Sequence, residues 1–367
     1  IYNNKPMSYY ILPKIHNIID VCPKDSSDND PFPYLSHSLY NYYTDINQKI
    51  TFICRDEHDP SGNIHEELLR LVNPYEYIFS KVPGSNFSVS KLKPNSNLFY
   101  DFLEVTTTLN ALDSYRTEPI KTLHVTPNYR DTIECFELLR EGFGDDIRCY
   151  DAITDETIKS IGDTKFHFLF LETKTTNLDV YMYSLIESLM LVLRNQMSHG
   201  CCIIKISHVF YKPIVDVLFT LSSLFEKMYI LKPNTSNITS FDRYVICKNF
   251  QSTEAKHKQM KLTYFRLAVF LKRLEGKRIV SLLDREIPHY FTTKVNDLNI
   301  IIGQQQLDSL NLVINLLKNK NKDERAEVMK KSSIQKSVSW CEKYNIPCNR
   351  FSEKTNIFLP VSKEADF

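Results

Sequence analysis

The sequence predicts an α/β fold: a parallel sheet covered by helices on both faces, flanked by an N-terminal arm and a helical C-terminal extension. Three observations predict it. Between residues 120 and 250, short apolar strand-like runs alternate with helical periodicities, and that alternation builds a parallel sheet between two helical layers. Before residue 85 the chain is rich in Pro, Asn, Asp and aromatic residues. After residue 250 dense charge appears at helical spacing.

The elements follow in order. Residues 1–60 read as an irregular arm with one short helix, from Ser36 to Ile50. The arm's aromatics fit the anchoring of an extended segment to a core better than stacking on bases. A second amphipathic helix ends before Pro74. From Asn95, Leu98, Phe102, Val105 and Leu109 share one helical side. "KTLHVT" (121–126) is strand-like, and the helix "YRDTIECFELLREGF" is ended by Gly142. "DIRCYDAI" and "KFHFLFLE" (165–172) read as strands. "LDVYMYSLIESLMLVLRNQMSHG" reads as one long buried helix stopped at Gly200. "CCIIKIS" is a core strand and "KPIVDVLFTLSSLF" a helix. "EKMYILK" and "RYVICKNF" lie close across "PNTSNITSFD" and predict an antiparallel hairpin. Three units result: 1–84, 85–250 and 251–367.

Composition bounds the function. At 43% hydrophobic and 24% charged residues, the chain can bury a sizeable core. Residues 1–250 hold 24 Lys and Arg against 31 Asp and Glu, a net of −7; residues 251–367 hold 21 against 13, a net of +8. A basic extension on an acidic body suits a polyanion, an acidic partner or simply a solvated helical surface. The nine cysteines form no CxxC pair, which argues for a reducing compartment and against zinc. No apolar stretch approaches the ~18 residues of a membrane span. The ten histidines show no ligand spacing, so no metal is expected. GxSxG and P-loop motifs are absent. Trp340 is expected to anchor packing rather than stack on a base.

Residues 200–250, "GCCIIKISHVFYKPIVDVLFTLSSLFEKMYILKPNTSNITSFDRYVICKNF", carry a resemblance. An apolar strand ends in Lys205, Lys232-Pro233 and Thr235-Ser236 mark a turn, and Arg243-Tyr244 with Cys247-Lys248 mark a final strand. This resembles the FtsJ-like RNA 2′-O-methyltransferases, above all the cap-type enzymes of the Adrift group and of large DNA viruses. "SKLKPNSNLFYDFLE" resembles the helix that opens that family's domain, and "GQQQLDSLNLVINLLK" with "WCEKYNIP" its viral helical tail. The resemblance implies a Rossmann-like S-adenosylmethionine methyltransferase fold over residues 85–250.

It also implies a site. A ribose 2′-hydroxyl is a poor nucleophile, so its proton must be removed or its oxygen aimed at the methyl sulfonium. The family does this with a Lys-Asp-Lys-Glu tetrad. Lys205 keeps the central lysine. Asp101 falls at the first lysine, Glu172 at the Asp and Asp242 at the Glu. One lysine then faces three carboxylates, which favours its ammonium form and weakens it as a base. A Lys205 salt-bridged to Asp101 or Glu172 is the simpler expectation; carboxylates holding a divalent cation are a remote alternative. The cofactor turn, Thr126, Pro127, Asn128 and Tyr129, lacks the glycines that let backbone approach the cofactor. Only about 38 residues separate the strands at 121–126 and 165–172, so a strand or the adenine-contacting loop is expected to be missing. The implied function is a catalytically impaired or inactive methyltransferase relative. It would be an RNA-associated or assembly subunit of a viral capping or transcription system, in the host cytoplasm or virion. It would use no cofactor and no membrane. RNA, a nucleic-acid-bearing complex or a protein would be its partner. The alternatives are an active cap 2′-O-methyltransferase using S-adenosylmethionine, and a purely structural interaction protein.

Overall fold

The computed structural model describes residues 9–17, 19–27, 31–56, 63–274, 276–318 and 322–349. The arm contributes β1 (Tyr9–Leu12), β2 (Lys24–Ser26), α1 (His37–Asp56) and α2 (Asn63–Val72). The central region begins with α3 (Leu98–Thr108), β3 (Lys121–Val125), α4 (Tyr129–Leu139), β4 (Asp146–Tyr150) and α5 (Asp155–Ile161). It continues with β5 (Phe166–Glu172), α6 (Leu178–Asn195), β6 (Gln196–Ile206), α7 (Lys212–Leu224), β7 (Phe225–Leu231) and β8 (Arg243–Phe250). The extension supplies α8 (Glu254–Lys272), β9 (Arg278–Ser281), α9 (His289–Lys318) and α10 (Lys322–Lys343).

Seven strands form one sheet in the order β1-β7-β8-β6-β5-β3-β4. The β3–β4, β3–β5 and β5–β6 pairs are parallel, while β8 runs antiparallel between β6 and β7. The fold is therefore a mixed α/β, Rossmann-like sheet, and the expected terminal hairpin is present. The period-two alternation of the strands divides the interior. Leu169, Leu171, Cys202 and Ile204 face one core, and Phe168, Phe170, Cys201 and Ile203 face the other. Both faces are covered, which is why β5 and β6 read as unbroken apolar runs.

Three expectations are corrected. The arm is not irregular throughout: β1 pairs antiparallel with β7, Tyr9 opposite Leu231, and β2 pairs with β9. Both pairings join segments more than 200 residues apart, and no local pattern announces them. The long helix stops at Asn195, not Gly200. Asn195 Nδ2 donates to the carbonyls of Gly162 (3.0 Å) and Thr164 (2.9 Å), turning the chain into β6. His199 then takes a left-handed φ of 62°, and the β5–β6 register shifts between Phe166 and Phe168. Helix α5 and strand β9 were not anticipated; both are short, and β9 is fixed by its partner.

The three sequence units share their cores. Leu12 and Ile15 of the arm and Phe291 and Leu298 of α9 enter the core that holds β6 and α7. Trp340, Cys341 and Ile346 enter the core around α3, where Trp340 meets Tyr100 edge-on at 5.7 Å. Trp340 is 4% exposed, so it anchors packing.

Candidate functional site

Parallel strands deliver their C-terminal ends to one edge of the sheet. Thr126 follows β3, Glu172 ends β5 and Lys205 lies opposite Glu172 in β6. Strand β8 enters the same edge from the other direction, so Tyr244 lies opposite Lys205 and Asp242 precedes the strand. Helix α3 closes the group with Asp101, buried at 5% exposure.

Lys205 Nζ lies 2.7 Å from Glu172 Oε1 and 4.0 Å from Asp242 Oδ2. The Thr126 hydroxyl donates to the other Glu172 oxygen. Burial alone would push the Lys205 ammonium down. Glu172 and Asp242 in contact, with Asp101 behind them, outweigh that and hold it above its ordinary value. The charged form is thereby favoured, as the sequence implied.

Asp101 is placed differently from the expectation. Its carboxyl accepts hydrogen bonds from the Thr235 hydroxyl and from the Tyr244 hydroxyl at 3.0 Å, and it reaches Lys205 only through the field. Burial drives it up to about 7, against the pull of Thr235, Lys205 and Tyr244. Burial thus favours the neutral form of Asp101, and among the described residues the carboxylates within ion-pair distance of Lys205 are Glu172 and Asp242. Beside it Glu104, also raised by burial, accepts from Asn234 Nδ2 at 2.7 Å. These two acids of α3 tie the helix to the 232–242 loop.

Sequence reasoning missed Lys232 as a member of this cluster. Its Nζ donates to the Ser240 carbonyl (2.7 Å), the Ser240 hydroxyl (3.2 Å) and the Asp242 carbonyl (3.2 Å). Burial pushes it down to about 7, with Asp242 opposing. The signal was present in the Lys-Pro turn, but spacing alone could not show that the lysine folds back under the loop that carries Asp242.

The cofactor turn closes without a left-handed residue. Asn128 has φ −104°, its N–H donates to the Thr126 hydroxyl (3.2 Å), and Tyr129 N donates to the Thr126 carbonyl (3.1 Å). The half-buried Tyr129 opens α4, and Asp131 in its first turn is buried, accepting from Asn95 N (2.7 Å) and the Ser96 hydroxyl (2.6 Å). Among the described residues no strand lies beyond β4. A turn with four side chains and a Thr126 hydroxyl committed to Glu172 is a poor fit to S-adenosylmethionine, whose binding turns use glycine for close approach.

Among the described residues, no group of three or more His, Cys, Asp or Glu side chains is arranged to hold a metal ion, and no helix is long and apolar enough to cross a membrane. A cavity of about 780 Å³ between α2, residues 76–83 and α10 touches none of the candidate residues.

No protein-family model matches the chain. A curated relative does: the cap-specific mRNA (nucleoside-2′-O-)-methyltransferase 1 of Leishmania braziliensis, 22% identical over 121 residues. The match supports a methyltransferase relationship. It spans 32% of this chain and 29% of the relative. Among solved structures, a protein described as a spermidine synthase from Corynebacterium glutamicum aligns over 56% of this chain and 88% of its own, at 9% identity and TM-score 0.29. The phosphoethanolamine N-methyltransferase 2 of Haemonchus contortus aligns over 42% and 39%, at 12% identity and TM-score 0.26. The fold assignment rests on the strand order above, not on these two likenesses.

Proposed function

We propose that this chain is a divergent FtsJ-like 2′-O-methyltransferase homologue with impaired or absent methyl transfer, acting as an RNA-associated or assembly subunit of a viral mRNA capping or transcription system. One observation carries the reading. Asp101, which the resemblance assigns to the position of the family's first lysine, is buried and bonded to Thr235 and Tyr244. Lys205 is left between Glu172 and Asp242, and Lys232 is bound to carbonyls and a hydroxyl instead of poising it. A lysine whose ammonium is stabilised in this way is a weak general base. The glycine-free turn at Thr126, Pro127, Asn128 and Tyr129 supports the same conclusion. A groove of about 610 Å³ lined by Tyr40, Tyr43, Phe52, His208 and Phe241, the residue before Asp242, leaves the ring of Phe52 exposed for a base to stack on.

The alternative is an active cap 2′-O-methyltransferase, favoured by the relative from Leishmania braziliensis. In that reading S-adenosylmethionine supplies the methyl group, and Lys205 with Glu172 orients the ribose hydroxyl. Calorimetric titration of the full chain with S-adenosylmethionine separates the two. The expected result is no saturable heat at ordinary cofactor concentrations. Saturable binding overturns the impaired reading in favour of the active one.

A further inference from the structure

The candidate site occupies one end of the sheet; the opposite end carries a different chemistry. Strand β5 runs from Phe166 to Glu172, so the two ends lie about 20 Å apart at ~3.3 Å per residue. At the far end, Lys14 Nζ donates to the Phe225 carbonyl where β7 begins. Lys165 Nζ donates to the Arg194 carbonyl (2.6 Å) where α6 ends. Helix α8 starts there too, four residues after Phe250, and brings Lys256, Lys258 and Lys261 in its first two turns.

These cations crowd one another. Burial lowers the Lys14 ammonium and Lys256 lowers it further, with Glu226 opposing. Burial also lowers Lys165, and Lys261 and Arg194 add to that against Asp163. Among the described residues none of Lys14, Lys256, Lys258 and Lys261 has a carboxylate within ion-pair distance; the carboxylate of Asp163 is taken by Arg194 at 3.0 Å. Glu226 and Asp163 offset part of this crowding, and an anion joining the remaining cations would offset more.

The outward face of α8 adds apolar surface. Phe265 is 64% exposed and Leu262 46% exposed. The inward face, with Met260, Leu267 and Phe270, is buried in the core against α6. The exposed ring is therefore not needed to dock the helix. Beside it Arg194 lies over the Tyr264 ring, 5.8 Å from its centroid. At ~3.6 residues per turn Lys258, Lys261 and the bare ring of Phe265 share the outward face of α8, with Lys256 on the opposite side. Lysines and a ring on one face match single-stranded nucleic acid: phosphates meet the ammonium groups and a base stacks on the ring.

We propose that this basic end of the sheet, built from Lys165, Lys258, Lys261 and Phe265, is a surface for the phosphate backbone of single-stranded RNA, separate from the Lys205 site. The inference rests on the RNA reading above and adds where the strand is held. It requires no methyl transfer, so an inactive chain would keep it.

The test is fluorescence anisotropy of a labelled oligouridylate about 20 nucleotides long with the full chain, at ~50 and ~200 mM salt. Binding should weaken steeply with salt. Lys258→Glu with Lys261→Glu should weaken it at least tenfold and flatten the salt dependence. Phe265→Ser should weaken it several-fold, with less effect on the salt slope. Lys336→Glu on α10 should bind like the parent. Phe52→Ser, at an exposed ring of the groove beside Asp242, separates this surface from the site. If Phe52→Ser abolishes binding while the lysine variants keep it, the basic-end proposal is overturned and the RNA reading stands. If the parent ignores the oligouridylate at ~50 mM salt but binds polyglutamate, the surface serves an acidic protein and the proposal is overturned.

Discussion

At the scale of single residues, burial decides the chemistry more than residue type does. Asp101 and Lys232 both titrate at about 7, one pushed up and one pushed down, because neither keeps its water. A carboxyl raised in the fold contributes stability that is complete below its free value of 3.8 and is lost as pH rises through about 7. Asp101→Asn keeps an oxygen for Thr235 and removes the titration. The variant should lack the parent's loss of stability between those two values. Because the amide nitrogen cannot accept from the Tyr244 hydroxyl, the expected signature is the flatter pH profile and not a higher Tm at every pH. Thermal melts at acid and alkaline pH measure this; superimposable profiles would show that Asp101 is not the titrating group.

At the scale of elements, the turn from α6 into β6 places Lys205 in register with Glu172. Gly200 is part of that turn for a steric reason. A Cβ there would stand 2.7 Å from the His167 carbonyl oxygen and 2.8 Å from that of Met197, both backbone atoms. Gly200→Ala should therefore force the β5–β6 ladder to shift and cost about 1–3 kcal/mol. Denaturant unfolding measures the loss, and a variant as stable as the parent would mean the strand has room that this packing denies it. The same element carries the register irregularity between Phe166 and Phe168, so the damage should spread toward Lys205.

At the scale of the whole molecule, the extension completes the fold. Phe291, Leu298 and Ile302 of α9 enter one core, and Trp340, Cys341 and Ile346 enter the other. Asp216, fully buried in α7, accepts from the backbone N–H groups of Leu282 (2.8 Å) and Leu283 (3.3 Å), so the extension also satisfies a buried carboxylate. A chain cut after Phe250 would expose both cores and leave the Asp216 carboxylate with Lys212 but without its backbone donors. It should show no cooperative melting transition, whereas the full chain should show one. A truncated chain that melts cooperatively would mean the central region is autonomous.

The sequence by itself determined the strand-helix alternation from residue 121 to 250, the closing hairpin, the glycine-free turn and the placing of Glu172 and Lys205 at the ends of two apolar strands; that Asp242 joins them was implied by the family resemblance alone. These are short-range facts: period-two and helical spacing report which faces are apolar, and parallel strands bring their C-terminal ends together. Only the tertiary structure decided that β1 adds to β7, that the helix before β6 ends at Asn195, that Asp101 bonds to Thr235 and Tyr244 rather than Lys205, and that Lys232 folds under its own loop. Each of those depends on partners distant in the chain or on desolvation. Burial is a property of everything packed around a group, and no window of local sequence contains it.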